Sequence, residues 1–324
     1  MIIGIPKESL AGETRVAILP AEIKKLSSDL LKFKIESGAG NGSFISDENY
    51  AECGAEIVSD VYSDSDLIIR INPPTEEELS KLNNGTCLIS LLAPFTNHAL
   101  VNQLAEKNIS SYCLELIPRS TYAQSMDVLS SQATVGGYRA VLNAASHLSK
   151  FFPMLMTPAG TIKPSTVLVI GAGVAGLQAI ATAKRLGAKV EAFDVRPAAR
   201  EQVESLGAKF LYMDLDDSAE TDSGYAVEMN EEFIRKEMEL LHDAAKRVDA
   251  IITTALIFGR PAPILIKDYM VNDMQPGSCI IDMAAENGGN CELTKPGEII
   301  HHNGVTIDGT LNLPAQVPYH ASQM

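Results

Sequence analysis

The sequence predicts an α/β fold: two Rossmann-like domains, each built on a mostly parallel sheet. Three observations lead there. Residues 166–170 are a β-branched apolar run that enters Gly171-Ala172-Gly173-Val174-Ala175-Gly176, and residues 177–183 continue with helical character. Short apolar runs alternate with helical patterns on both sides of that turn, which is the rhythm of βαβ units. Finally, 324 residues with 46% hydrophobic and 21% charged composition suit a globular chain of two domains.

The first half reads in order as follows. Residues 2–5 are a short apolar strand, and residues 20–30 have helical spacing with Pro20 suited to a first turn. Residues 33–36, 67–71, 87–92 and 111–116 read as further strands. Helical patterns at 75–82 and 97–107 separate the last three. Residues 118–134 are polar and read as a loop, and a long helical run from Tyr138 to Phe152 joins the two domains. The expected boundaries are 1–137, completed by 312–324, for the N-terminal domain and 138–311 for the second.

After the glycine-rich turn the rhythm continues. The run Lys189-Val190-Glu191-Ala192-Phe193 ends on Asp194, eighteen residues after Gly176. Residues 198–206 are helical and stop at Gly207, and 210–213 are a strand. Residues 214–232 hold eight carboxylates with Gly224 and Tyr225 and read as a long exposed loop. Residues 231–246 return to helix, and 250–254, 279–283 and 305–307 are the later strands.

Strand, Gly-x-Gly-x-x-Gly turn, helix and a later strand ending in an acidic residue form the dinucleotide-binding fingerprint in full context. Gly171 permits the tight turn. Gly173 lets a pyrophosphate approach the backbone at a helix N-terminus, where N–H groups and the positive dipole end favour anions. Gly176 lets helix and strand pack closely. Asp194 can accept from an adenosine ribose hydroxyl and would repel a 2′-phosphate, which favours NAD over NADP. Arg196 pulls the other way, because an arginine there can accept that phosphate. Ala255 and Leu256 follow an apolar strand at its C-terminal edge, where open α/β sheets bind ligands; plain core packing is the bland alternative for Leu256.

Composition narrows the classes further. The net charge of -15 argues against nucleic acid and anionic lipid as direct partners. Five widely spaced cysteines without metal-ligand spacing read as small buried residues in a reduced setting, so no metal is expected. The N-terminus lacks the basic start and long apolar core of a signal peptide. Residues 166–183 carry no charge, yet their glycines and β-branched first half read as a buried strand and helix rather than a membrane span.

The opening Gly4-Ile5-Pro6-Lys7-Glu8 with Arg15-Val16-Ala17 resembles alanine dehydrogenases and nicotinamide nucleotide transhydrogenases, two families related in fold. Further stretches resemble the transhydrogenases: Pro118-Arg119, Ala123 through Gln132, Val174 through Ala188, Glu201 through Gly207, Thr253 through Ile257, Gly224-Tyr225-Ala226 and Gly288-Gly289-Asn290-Cys291. The resemblance spans nearly the whole chain. It is closest to the NAD(H)-binding component, domain I, of the proton-translocating transhydrogenase family.

The resemblance implies hydride exchange between NAD(H) on this chain and NADP(H) on a partner β subunit, with proton movement assigned to membrane subunits. It implies a homodimer, a cytoplasmic setting and attachment to the inner face of the plasma membrane through those partners. It implies that Arg119 and Ser130 hydrogen-bond the carboxamide, with Gln124 and Asp127 near the nicotinamide ring and ribose. Contacts to the rest of the cofactor would come from Gly171, Gly173, Val174, Ala175, Gly176, Asp194, Arg196, Ala255 and Leu256. A mobile loop carrying Gly224 and Tyr225 would close over the nucleotide. The family chain continues past residues 315–322 into a further helix, whereas this sequence ends at Met324.

Hydride transfer between nicotinamides needs closeness and orientation rather than an acid–base pair. The competing reading is an alanine dehydrogenase, whose family uses a lysine and a histidine in the first domain as proton carriers. The lysine position falls in Ile69-Arg70-Ile71-Asn72-Pro73-Pro74 and holds Asn72; the histidine position falls near Leu91-Leu92-Ala93-Pro94, which has none. His98 heads an apolar helical pattern, and the other five histidines read as surface residues. Arg15, a carboxylate-binding residue in alanine dehydrogenases, is left without an assigned role. A non-catalytic NAD(H)-sensing module is the third reading, disfavoured by the stretch from Arg119 to Gln132.

Overall fold

A computed structural model describes residues 1–118, 120–212, 231–257 and 260–324. It divides the chain into two units, Met1–Val135 with Pro314–Met324, and Gly136–Leu313.

In the first unit the strands are β1 (Ile2–Ile5), β2 (Lys32–Glu36), β3 (Glu56–Val58), β4 (Leu67–Ile69), β5 (Cys87–Ser90) and β6 (Ser110–Cys113). The helices are α1 (Pro20–Leu26), α2 (Asp47–Glu52), α3 (Glu76–Lys81) and α4 (His98–Glu106). The six strands pair in the order β3-β2-β1-β4-β5-β6, every pair parallel, so the chain starts mid-sheet and winds out to both edges. Ile68 of β4 joins the cluster of Leu79, Leu88, Leu100 and Leu104, while Leu67 and Ile69 pack on the opposite cluster around Ile5, Phe33 and Ile35. That alternation is the period of two of a strand covered on both faces.

Local signals explain the boundaries. Helix α1 stops at Leu26, short of the expected residue 30, because Ser27 turns to an extended conformation. Helix α3 opens with Thr75 and Glu78 in a reciprocal capping box, and α2 opens likewise with Ser46 and Asn49.

Helix α5 (Val128–His147) begins ten residues before Tyr138, inside the stretch read as loop. Asp127 caps it: its carboxylate accepts the Ser130 N–H at 3.0 Å and the Ser130 hydroxyl at 2.7 Å. Ser131 and Thr134 turn their hydroxyls back onto the carbonyls of Val128 and Ser130. These polar residues therefore satisfy themselves along a helix, and composition alone misreads them. The chain returns to the first unit through α10 (Pro318–Gln323), where Ser322 accepts the Val16 N–H at 3.0 Å and Gln132 donates to the Ala321 carbonyl at 2.9 Å.

In the second unit the C-terminal part of α5 is followed by an antiparallel hairpin, β7 (Leu155–Thr157) and β8 (Gly160–Ile162), which the sequence did not signal. Its main strands are β9 (Thr166–Ile170), β10 (Lys189–Phe193), β11 (Lys209–Phe210), β12 (Ala250–Thr253), β13 (Cys279–Asp282), β14 (Ile299–His302) and β15 (Val305–Asp308). The helices are α6 (Val174–Arg185), α7 (Ala199–Ser205), α8 (Glu231–Ala245) and α9 (Asp268–Asn272). The sheet order is β11-β10-β9-β12-β13-β15-β14, parallel except for the β14 edge. In β9, Val167 and Val169 face one core cluster and Leu168 and Ile170 the other. Fully burying such a side chain is worth about 1.5–3 kcal/mol. The chain turns to β10 on one side of β9 and crosses to β12 on the other, a topological switch point.

Candidate functional site

The Gly-x-Gly-x-x-Gly turn joins β9 to α6. Gly171 has φ +94° and its N–H donates to the Phe193 carbonyl at 2.8 Å. A Cβ at Gly171 would stand 2.6 Å from the Thr254 hydroxyl, and one at Gly176 would overlap the Gly171 carbonyl oxygen. Those two positions need glycine for the fold itself. Gly173 differs, because a Cβ there would meet nothing within 4 Å. It stands at the start of α6 without a side-chain cap, on an open approach to the first-turn N–H groups. Val174 is exposed, and Ala175 half-buried.

Asp194 stands at the end of β10 with its side chain nearly buried. Its carboxylate accepts the Ala172 N–H at 2.7 Å, which ties it to the turn. Arg196 donates to it from the backbone at 2.8 Å and from Nε and Nη2 at 2.9 Å each. Burial works to raise the Asp194 carboxyl, but the bonds from Arg196 and Ala172 outweigh it and hold the group below its ordinary range. Arg196 is thus paired with Asp194, which settles how its guanidinium is used in this structure. Across the switch point, Thr254 donates its N–H to Ile170 at 2.8 Å and its hydroxyl to the Gly171 carbonyl at 3.0 Å. Ala255 is half-buried, and Leu256 is exposed at 55% rather than packed in the core.

In the first unit a cleft of about 670 Å³ is lined by Ser120, Thr121, Gln124, Ser125, Asp127 and Ser130. Gln124 opens a short 3-10 turn and is exposed, and Asp127 and Ser130 form the α5 cap described above. Gln124, Asp127 and Ser130 thus share one polar surface. Arg119, Gly224 and Tyr225 lie outside the described residues.

A family model described as alanine dehydrogenase/PNT, N-terminal domain, matches residues 4–136, and its C-terminal counterpart matches residues 140–324. The chain belongs to the alanine dehydrogenase/PNT family. Among curated relatives, an NAD(P) transhydrogenase subunit alpha chain of Rhodospirillum rubrum is 47% identical over 334 residues, covering 100% of this chain and 87% of that one. Alanine dehydrogenase of Mycobacterium tuberculosis is 30% identical, covering 98% and 82%. The solved structure of transhydrogenase from Sinorhizobium meliloti superposes with a TM-score of 0.90 at 41% identity, covering 100% of this chain and 90% of that one.

Within the alanine dehydrogenase/PNT family, the surroundings of Arg15 and Asn72 are informative. The Arg15 guanidinium is engaged: Nε and Nη2 donate to Glu13 at 2.8 and 2.6 Å, and Nη1 donates to Gln132 at 2.8 Å. Asn72 Nδ2 bridges Glu8 at 3.1 Å and Glu13 at 3.0 Å. Glu8 also accepts the N–H groups of Ile71 and Asn72 and lies 3.6 Å from the buried Arg70, which pairs with Glu78 at 2.8 Å. Burial raises the Glu8 carboxyl despite these partners. Burial likewise works against Glu13, but Arg15 and Asn72 prevail and hold it at about 2. Sequence reasoning missed this network; its only signals were Arg15 itself and the Asn72 position.

Of the five histidines read as surface residues, His301 and His320 are exposed, and His147, His242 and His302 are half-buried beside polar partners. His147 Nε2 is 2.9 Å from the buried Asp308 carboxylate, and Asn143 donates to the same oxygen at 3.3 Å. His242 and His302 contact Asp273 and Asn272. Helical and strand positions near polar partners, not solvent alone, account for them. Cys279 and Cys291 are buried and the other three cysteines half-buried, all as free thiols. Among the described residues no group of three or more His, Cys, Asp or Glu could hold a metal ion.

Proposed function

We propose that the chain is the NAD(H)-binding component of a proton-translocating transhydrogenase. In this reading hydride passes between NAD(H) here and NADP(H) on a partner β subunit, and membrane subunits couple the exchange to proton movement. The observation that carries it is a pairing. The second unit holds a complete dinucleotide fingerprint closing on Asp194. The first unit holds Arg15 and Asn72 tied to Glu13, Glu8 and Gln132, with no lysine or histidine in the positions a deaminase needs. An amide does not titrate and so cannot take up or release the proton a deaminase must move, and a guanidinium already paired with a carboxylate is a poor receiver for a substrate acid.

The residues present fit a dinucleotide. Gly173 leaves the backbone open, Asp194 presents an ionised carboxylate beside the turn, and Leu256 and Ile257 offer exposed apolar side chains. Bound NAD(H) supplies the nicotinamide carbon that gives or takes the hydride. Gly171, Gly173, Val174, Ala175 and Gly176 let backbone N–H groups face the phosphates. Asp194 accepts from ribose hydroxyls, and Arg196 keeps it ionised and aimed. Ala255 and Leu256 form an apolar wall. By resemblance Gln124, Asp127 and Ser130 orient the nicotinamide end together with Arg119, and a loop carrying Gly224 and Tyr225 closes over the nucleotide. Orientation is the contribution the reaction needs, since no proton moves at the reacting carbons.

No described helix is long and apolar enough to cross a membrane. Attachment to the inner face of the plasma membrane through partner subunits belongs to this proposal. So does a homodimer, supported by the exposed Met154, Met156 and Ile162 on and beside the β7–β8 hairpin. The test mixes the chain with the soluble NADP(H)-binding component of a transhydrogenase and follows hydride transfer from NADPH to an NAD analogue. Pyruvate plus ammonium with NADH runs in parallel. Turnover only with the partner supports the proposal; turnover with pyruvate and ammonium alone overturns it.

A further inference from the structure

We propose that Asn290, itself held by Asp282, is a positioning residue of the dinucleotide site that fixes the apolar wall at Ala255 and Leu256. The inference rests on the NAD(H) reading and names a residue that reading leaves without a role. Strand β12 ends at Thr253, and two residues later no sheet partner holds the backbone. The side chain of Asn290 takes that place. Its Oδ1 accepts the Ala255 N–H at 3.0 Å, and its Nδ2 donates to the Ala255 carbonyl at 2.9 Å and to the Pro263 carbonyl at 2.8 Å. One primary amide thus pairs with both polar groups of Ala255, as a neighbouring strand would. Asn290 is fully buried, so water does not compete for these bonds.

The amide is anchored in turn. Asp282, at the end of β13 and 1% exposed, receives the N–H groups of Asn290 at 2.8 Å and Cys291 at 3.0 Å. It also accepts from the Thr294 hydroxyl at 2.6 Å, the Thr253 hydroxyl at 2.9 Å and the Ala284 N–H at 3.1 Å. No salt bridge to Asp282 occurs among the described residues. Five neutral donors therefore hold one carboxylate, which fixes both Asn290 and the end of β12 from which the wall departs. Gly289 has φ +84°, and a Cβ there would lie 2.7 Å from the Asp282 carboxylate. The Gly288-Gly289-Asn290 sequence is thereby a loop built to bring an amide side chain under Ala255.

The consequence reaches the ligand side. Thr254, next to Ala255, bonds the fingerprint turn, and Leu256 and Ile257 beyond it are exposed and apolar. A wall set in place before binding spares the nucleotide the entropy of ordering it. Asn290 touches no reacting atom and works through Ala255.

The test uses the full chain as wild type, N290A, N290D, L256A and the N290A/L256A double variant. The readouts are NADH affinity by calorimetry, amide exchange of Ala255 without nucleotide, and turnover at saturating NADH with the NADP(H)-binding component. N290A is expected to weaken NADH about tenfold, expose the Ala255 amide to exchange, and leave saturated turnover within about twofold. Removing Leu256 then costs less in the N290A background than alone, the signature of one residue acting through another. N290D keeps the acceptor and the shape but loses both donors, so it tests the idea should N290A fail to fold; it is expected to weaken NADH in the same direction. Wild-type affinity in N290D or N290A, or multiplicative effects in the double variant, overturns the inference. Absence of NADH binding by the wild type overturns the function reading itself.

Discussion

Replacing Glu13 by Gln tests the buried network of the first unit by its pH dependence. The Glu13 side chain is fully buried against Arg15. Burial alone would raise its carboxyl, but Arg15, Asn72 and the Arg15 backbone N–H lower it from 4.5 to about 2. A carboxyl lowered on folding stabilises the native state at neutral pH. That contribution is fully present above about pH 4.5 and is lost as the pH falls through about 2. The shift is worth about 3 kcal/mol at pH 7, and about half of that remains near pH 3. E13Q removes the counter-charge of the buried Arg15 cation, and that lost interaction is the main part of the shift. The chain has no tryptophan, so urea unfolding is best followed by far-UV circular dichroism. A loss of about 3 kcal/mol at pH 7 that narrows towards pH 3 is expected. E13Q within about 1 kcal/mol of wild type at pH 7, or a gap that widens with acid, would refute the reasoning.

Two further perturbations separate fold from ligand. G176A drives a Cβ into the Gly171 carbonyl and should destabilise the chain by about 1–3 kcal/mol in thermal melts. G173A meets no atom within 4 Å, so its melting temperature should stay put while NADH affinity falls about tenfold or more; equal loss of both would contradict an open phosphate approach. D194A should weaken NADH about tenfold and narrow the preference over NADPH in calorimetry, and an unchanged preference would remove Asp194 from ribose recognition.

The sheets and the fingerprint were legible because their physics is local. A strand buried on both faces reads as an unbroken apolar run, as in Val167, Leu168, Val169 and Ile170. Gly171 and Gly176 answer to one turn and one close approach, both encoded within six residues. The start of α5 was not legible, because Ser130, Ser131 and Thr134 look like loop until their hydroxyls are seen to bond back along the helix. The hairpin β7–β8 and the edge strand β14 are short and largely exposed, so neither carries a strong apolar period. Asp282 merely ends an apolar run, and Asn290, though in a stretch that resembles the transhydrogenases, carries no local sign of what its side chain holds. Their importance lies in partners up to 35 positions away, which no window of sequence contains. The candidate site residues were readable through motif and resemblance, while the residues that hold them in place were not.

The charges at the proposed nucleotide site are set to stay constant across physiological pH. Asp194 is held below the ordinary carboxylate range, and the Arg196 guanidinium beside it is pushed further up by that same carboxylate. No histidine lines the first-unit cleft or bonds to the fingerprint turn among the described residues. A hydride moves without a proton, so such a site has no need of a group that titrates near neutrality. NADH affinity of the isolated chain should therefore change by less than about twofold between pH 6 and 8, and should fall only at the acid pH where Asp194 gains its proton. A calorimetric profile with an inflection near pH 6.5 would mean that a histidine takes part in binding and would break this account of the site. A flat profile in D194A as well, extending into the acid range, would tie the acid-side loss in the wild type to that one carboxylate.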